Sequence, residues 1–143
     1  MPARAQRVLD DSNLEDFERL VRSIGEVRHA DGPHECRWWR LHAEPWLQSL
    51  IMKDICAVDD GIDLRWRYSQ VLAFSAADRA MIDVLTVTRE GRLAVLELKA
   101  NEDIHLPLQG IDYWARVAWH HGQGEFQKFG YFAGRELSSE SPS

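Results

Sequence analysis

Long apolar runs, cysteines and surplus positive charge are all scarce in this 143-residue chain. No stretch approaches the roughly 18 consecutive apolar residues of a membrane-spanning helix, so no membrane partner is expected. The opening Met1-Pro2-Ala3-Arg4-Ala5-Gln6-Arg7 lacks the apolar stretch of a secretory signal, which points to the cytoplasm. The two cysteines, Cys36 and Cys56, have neither metal-ligand spacing nor the density of a disulfide framework. They are expected as free thiols. The histidines are scattered (His29, His34, His42, His105, His120, His121) and none has a partner at zinc-site spacing. Internal repeats and low-complexity tracts are absent. Lysine and arginine total 17 against 23 aspartates and glutamates, a formal net charge of -6. Non-specific nucleic-acid binders are usually basic, so this balance argues against tight unaided binding to duplex DNA.

The chain does have enough apolar residues, 45% of the total, to bury the core of one domain. Its most informative stretch runs from Ile82 to Lys99. Ile82-Asp83-Val84-Leu85-Thr86-Val87-Thr88 and Arg92-Leu93-Ala94-Val95-Leu96-Glu97-Leu98-Lys99 flank Arg89-Glu90-Gly91 and predict a β-hairpin. Both strands are apolar on both faces, the pattern of strands covered on each side. Asp83, Glu97 and Lys99 interrupt it, and a buried charge is costly unless it is paired or holds a metal. A three-residue loop with glycine in the left-handed position pairs Thr88 with Arg92. Val87 then faces Leu93, Leu85 faces Val95, and Asp83 faces Glu97, with Lys99 on the same face. A one-residue slip puts Asp83 opposite Leu98 or Leu96 instead.

Directly opposed side chains have Cβ atoms about 5 Å apart. Two carboxylates at that separation repel by about 3 kcal/mol at an effective dielectric near 20. Fold stability gives little reason to build this pair, whereas a hard divalent cation between them does. Mg²⁺ is typically held by one or two carboxylates plus water and substrate phosphate, and a metal can turn water into a nucleophile and stabilise a scissile phosphate. Lys99 then orients or helps deprotonate that water, or neutralises the phosphate. The bland alternative is an internal acid–lysine pair at a sheet edge with no function.

Asp83, thirteen intervening residues and Glu97-Leu98-Lys99 together resemble the signature of the PD-(D/E)xK nuclease superfamily. Gln109-Gly110-Ile111-Asp112-Tyr113 resembles the QxxxY element of its RecB-like branch, and Glu44-Pro45-Trp46-Leu47-Gln48-Ser49-Leu50 resembles its first core helix. Small bacterial proteins and the nuclease domains of mismatch-type endonucleases are similar. Ile82 stands where the signature has proline, and Gln48 where related helices can carry a second glutamate. The resemblance covers about residues 42 to 133. It implies an α/β fold with a restriction-endonuclease-like core, α-β-β-β-α-β, its mixed sheet flanked by helices. It further implies Mg²⁺ or Mn²⁺ as cofactor, Asp83 and Glu97 as metal ligands joined by the backbone carbonyl of Leu98, and Lys99 as the water-orienting group. Glu44 is either a further catalytic carboxylate or a helix N-terminal charge that complements the dipole. Gln109 and Tyr113 orient substrate; the alternative packs Tyr113 in the core and leaves Gln109 solvated. Arg116 continues their face of the helix, where a phosphate contact is expected.

The remaining layout follows from periodicity. Residues 13–24 form an amphipathic helix capped by Ser12 or Asn13, with Leu14, Phe17, Leu20, Val21 and Ile24 as its stripe. Ala30-Asp31-Gly32-Pro33 is a turn, and Glu35 to Leu41 an added edge strand. Residues 1–41 thus form an N-terminal extension to the core of residues 42–133. Pro45 to about Val58 is a helix burying Leu47, Leu50, Ile51, Ile55 and Val58; Asp59 to Asp63 is a turn with too few ligands for calcium; Arg65 to Phe74 is the first core strand. Pro107 to His120 is a helix burying Ile111, Trp114, Ala115 and Ala118, and Lys128 to Ala133 is a last strand. Residues 134–143 form a polar tail, disordered from Ser138 on. Arg65, Arg67, Arg79, Arg89, Arg92 and Arg116 are expected to gather near the carboxylates. Trp38, Trp39 and Trp66 either stack on bases or pack internally. The functional expectation is a metal-dependent deoxyribonuclease acting on a specific DNA structure or with a partner, with a homodimer one open arrangement. The alternative is a non-catalytic nucleic-acid or protein interaction module that keeps the fold.

Overall fold

The computed structural model describes residues 7–29, 31–72 and 81–143. The chain divides into two compact units, Met1–Ala43 and Glu44–Ser143. In the first, α1 spans Leu14–Val27 with Asn13 at its N-cap. The cap side chain turns away from the helix: its carbonyl accepts from the Asp10 N–H at 3.1 Å and its amide donates to the Val8 carbonyl at 2.9 Å. Leu14, Phe17, Leu20 and Val21 are exposed. The expected edge strand over Glu35–Leu41 is instead the short helix α2, Arg37–Arg40. Its backbone closes locally, Arg40 N–H onto Cys36 and Leu41 N–H onto Arg37, which leaves no row of groups free for strand pairing. Trp39 stacks on His34, and Arg37 lies over the Trp38 ring. The turn expected at 30–33 is described from Asp31 on, where the Gly32 N–H donates to the His29 carbonyl.

The second unit is an antiparallel three-stranded sheet in the order β1-β2-β3, with β1 Ile62–Leu72, β2 Met81–Thr88 and β3 Leu93–Leu96. Helix α3, Ala43–Lys53, precedes it through a 3₁₀ turn at Ile55–Ala57; α4, Leu106–Gly122, and α5, Glu125–Lys128, follow it. β2 is buried along most of its length, through Ile82, Val84, Leu85, Thr86 and Val87. The expected two-sided covering has a physical basis in two clusters. Leu85, Val87 and Leu93 pack with Tyr113, Val117, Phe126 and Phe132; Val84 packs with Ile55 and Ile62, backed by Ile51 and Met52.

Four expected features of this unit are corrected. The helix expected to run to Val58 stops at Lys53, and Leu50 and Val58 are exposed rather than part of a buried stripe. The first strand starts earlier than expected, at Ile62, and is described to Leu72; Phe74 lies outside the described residues. No strand occupies Lys128–Ala133. α5 ends there, and Gly130 and Phe132 take φ of 83° and 53°, which an extended strand does not allow. The Phe132 N–H donates to the Tyr68 hydroxyl at 2.9 Å instead of to a ladder, within an aromatic cluster of Tyr68, Phe126, Tyr131 and Phe132. The tail beyond Ser138 is ordered. Ser143 N–H donates to the Leu93 carbonyl and its own carbonyl accepts from Val95 N–H, the pattern of a parallel bridge on the free edge of β3. Pro142 is buried, with its carbonyl accepting from the Trp114 indole at 2.6 Å.

Candidate active site

The hairpin turn adopts the predicted geometry. Thr88 N–H donates to the Arg92 carbonyl, Gly91 N–H to the Thr88 carbonyl, and Gly91 takes φ of 89°. The pairs Val87 with Leu93, Leu85 with Val95 and Val84 with Leu96 follow. Extended by one step, this register sets Asp83 opposite Glu97. The ladder itself stops at Leu96, because the Leu98 N–H donates to Asp83 Oδ2 at 2.9 Å rather than to a backbone carbonyl. Asp83 therefore ends the strand pairing and fixes the Glu97-Leu98-Lys99 segment beside itself.

Two glutamines complete the surroundings of Asp83. Gln48, on α3, donates from Nε2 to the Asp83 backbone carbonyl at 2.9 Å. Gln70, on β1, donates from Nε2 both to Asp83 Oδ1 and to Gln48 Oε1, each at 3.2 Å. The flanking pairs Ser69 with Val84 and Val71 with Ile82 place Gln70 across from Asp83. Gln70 has φ of 54°, a left-handed conformation that non-glycine residues rarely adopt and that recurs at functional sites. Glu44, Pro45, Gln48, Gln70, Asp83 and Leu98 line a cavity of about 200 Å³.

Glu44 lies in the first turn of α3, and its Oε1 is 3.9 Å from Lys99 Nζ; Lys99 is 21% exposed and Glu44 50%. Among the described residues, no three histidine, cysteine, aspartate or glutamate side chains are gathered closely enough to share a metal, so Glu44 does not join Asp83 and Glu97 as a third carboxylate.

Glu97 has the most perturbed chemistry. Burial pushes its carboxyl up to about 7; the negative charge of Asp83 adds to this, and Lys99 opposes it. Its Oε2 is buried without a hydrogen-bond partner, and so is Gln109 Oε1. Tyr113 is held above its ordinary pKa by burial first, then by the charges of Glu97 and Asp83. Its ring is 8% exposed within the core cluster. The packing alternative thus holds for Tyr113. Gln109 is only partly exposed, and the stripe expected to be buried on α4 is corrected, since Ile111 and Trp114 face solvent while Tyr113 and Val117 are inside. Turning that face inward brings Tyr113 into the electrostatic field of the two acids.

These groups meet a simple test for a divalent cation. Two adjacent carboxylates and an orphaned buried carboxylate oxygen form a hard-oxygen donor set matching the one or two carboxylates Mg²⁺ usually takes from protein. If a cation binds here, Asp83 and Glu97 are the side chains that would hold it.

Of the arginines expected near the carboxylates, Arg65, Arg92 and Arg116 have partners elsewhere. Arg89 and Arg92 lie at the turn, about 17 Å along the hairpin at a strand rise near 3.4 Å per residue. Arg92 binds the carbonyls of Ser141 and Pro142. Arg65 is committed to Asp63, with Nη2 2.8 Å from its Oδ2, which holds the Asp63 carboxyl down at about 2. Arg116 pairs with Asp112 one helical turn away at 2.9 Å, and Arg79 lies outside the described residues. His105 is the N-cap residue of α4. His120 pairs with Glu125, and His121 Nε2 lies 2.7 Å from the Ser138 carbonyl. Trp66 packs against Phe132 rather than standing free to stack on a base. Cys36 and Cys56 are free thiols.

Sequence reasoning passed over Gln70 and saw Gln48 only as a missing glutamate. The available signal was the pairing of β1 with β2, which needs a register that no short turn fixes. No helix among the described residues is long and apolar enough to cross a membrane. Compared with known protein families, curated proteins and solved structures, the chain has no match.

Proposed function

We propose that this chain is a divalent-metal-dependent phosphodiesterase acting on DNA, with Mg²⁺ or Mn²⁺ bound by Asp83, Glu97 and the Leu98 carbonyl. The observation that carries this reading is Glu97. A carboxyl raised to about 7 beside a second acid, with an unpartnered buried oxygen, is a destabilising arrangement that a cation relieves. The resemblance of Asp83, Glu97-Leu98-Lys99 and the Gln109–Tyr113 element to PD-(D/E)xK nucleases supports the same chemistry and a restriction-endonuclease-like core. When bound, the metal supplies Lewis acidity at the phosphate and lowers the pKa of a water.

The chain's own groups do the rest. Asp83 is held at Oδ2 by the Leu98 N–H, so its carboxylate is oriented before any ligand arrives. Lys99, partly buried with its Nζ 3.9 Å from Glu44 Oε1, orients the attacking water or offsets charge building on the phosphate. Glu44 acts through Lys99 as a positioning residue. Tyr113 packs in the core within the field of the two acids, which leaves Gln109, on the same helix, as the residue to orient substrate. Arg116, tied to Asp112, is a substrate contact only if that pair opens.

A second reading is a non-catalytic nucleic-acid or protein interaction module on the same fold, and the net charge of -6 argues for a partner in either case. Supercoiled, linear, branched and single-stranded DNA incubated with Mg²⁺ and Mn²⁺ separate the two. The enzyme predicts metal-dependent cleavage of at least one form. No cleavage of any form, together with no metal binding, selects the module.

A further inference from the structure

The geometry points to Gln70 as a built-in competitor for the cation: its side-chain amide occupies the place between Gln48 Oε1 and Asp83 Oδ1 that a hard cation takes, so that Gln48 becomes a further oxygen ligand when Gln70 yields. This rests on the metal-dependent reading above. The resemblance gives Gln70 no role.

The amide orientations are fixed by chemistry. The Asp83 backbone carbonyl only accepts, so the nitrogen of Gln48 must face it and the Gln48 oxygen must face outward. A carboxylate also only accepts, so Gln70 must present its nitrogen to Asp83 Oδ1, and the same nitrogen reaches Gln48 Oε1. One donor nitrogen thus bridges two hard oxygens from two elements. The two oxygens converge on one position, which is filled here by amide hydrogens.

Gln70 is not needed to hold either oxygen. Asp83 is already fixed through Oδ2 by the Leu98 N–H at 2.9 Å, and Gln48 through Nε2 by the Asp83 carbonyl at 2.9 Å. The two Gln70 contacts are longer, at 3.2 Å, and Gln70 itself is exposed. Long, solvent-accessible hydrogen bonds are the weak members of a network. They yield to a cation while the shorter ones persist. Gln70 holds this position with a left-handed backbone, φ 54°.

The test is calorimetric titration of Mn²⁺ and Mg²⁺ into wild type, Gln70→Ala, Gln70→Gly and Gln48→Leu, each checked for folding by thermal melting. Losing the competing amide should tighten metal binding about three- to tenfold in both Gln70 variants, the net worth of one long, solvent-exposed hydrogen bond. Gly and Ala differ in their tolerance of the left-handed backbone, so equal tightening assigns the effect to the amide. Gln48→Leu should weaken binding by a similar factor. Metal affinity unchanged or weakened in Gln70→Ala, while wild type binds, overturns the competitor and leaves the metal reading standing. A Gln48→Leu protein that is folded and binds as wild type does also overturns it. Absence of heat from all four proteins overturns the metal reading itself, and this inference with it.

Discussion

Glu97 is where sequence, burial and chemistry meet. Its folded-state pKa of about 7 lies above its ordinary 4.5, so the metal-free fold holds a proton that the unfolded chain releases. The sign follows from linkage: between those values the folded state binds more protons, and stability falls as pH rises. The contribution is complete below 4.5 and gone above about 7. The melting temperature of metal-free wild type, compared with Glu97→Gln, should decline from pH 5 to pH 7.5; parallel curves for the two proteins would contradict this. Asp63 works in the opposite sense. Its carboxyl is held near 2 by Arg65, so its contribution is lost only as pH drops below the ordinary aspartate range. The two effects occupy different pH windows and can be separated. The acid pair itself was legible in the sequence, because charged residues inside β-branched apolar strands stand out. Gln70 was not, since an uncharged amide on an exposed strand position looks like surface.

At the scale of elements, the hairpin was legible to the residue because a three-residue glycine loop ties register to turn. Gly91 combines φ of 89° with close approach: a Cβ there would lie 2.8 Å from the Glu136 carbonyl oxygen. Gly91→Ala should cost about 1–3 kcal/mol in urea denaturation, through left-handed strain and that clash. The last strand was misread because alternating aromatics over Lys128–Ala133 imitate a strand, while Gly130 and the hydroxyl of Tyr68 favour a turn. That turn is structural in its own right. Phe126 is fully buried between α4 and the sheet, and Phe126→Ala should cost about 3–5 kcal/mol by the same denaturation measurement. The tail was misread because small polar residues suggested disorder, whereas their backbone groups find partners on the β3 edge. The buried face of α4 was misjudged too, since Ile111 and Trp114 are more apolar than the Tyr113 that is buried instead.

Over the whole molecule, charge governs how substrate is met. The net charge is -6, and among the described residues Arg65, Arg116 and Arg92 are committed to Asp63, Asp112 and the tail, which lessens the positive charge open to a phosphate backbone. On the proposed function, a divalent cation held by Asp83 and Glu97 would reverse the local field. Binding of a DNA duplex, followed by fluorescence anisotropy in the absence of cleavage with Ca²⁺, should therefore depend on the cation. Equal affinity in chelator and in Ca²⁺ would place the nucleic-acid surface elsewhere.

The measurement that bears most directly on the central claim is nicking of supercoiled plasmid in Mg²⁺ and in Mn²⁺, wild type beside Lys99→Ala. Lys99 meets Glu44 only at 3.9 Å on a half-exposed partner, a pair worth about 0–1 kcal/mol, so the variant should fold as wild type does. The account predicts metal-dependent nicking by wild type and a loss of about a hundredfold or more in the variant. Cleavage retained in full by a folded Lys99→Ala protein would contradict it.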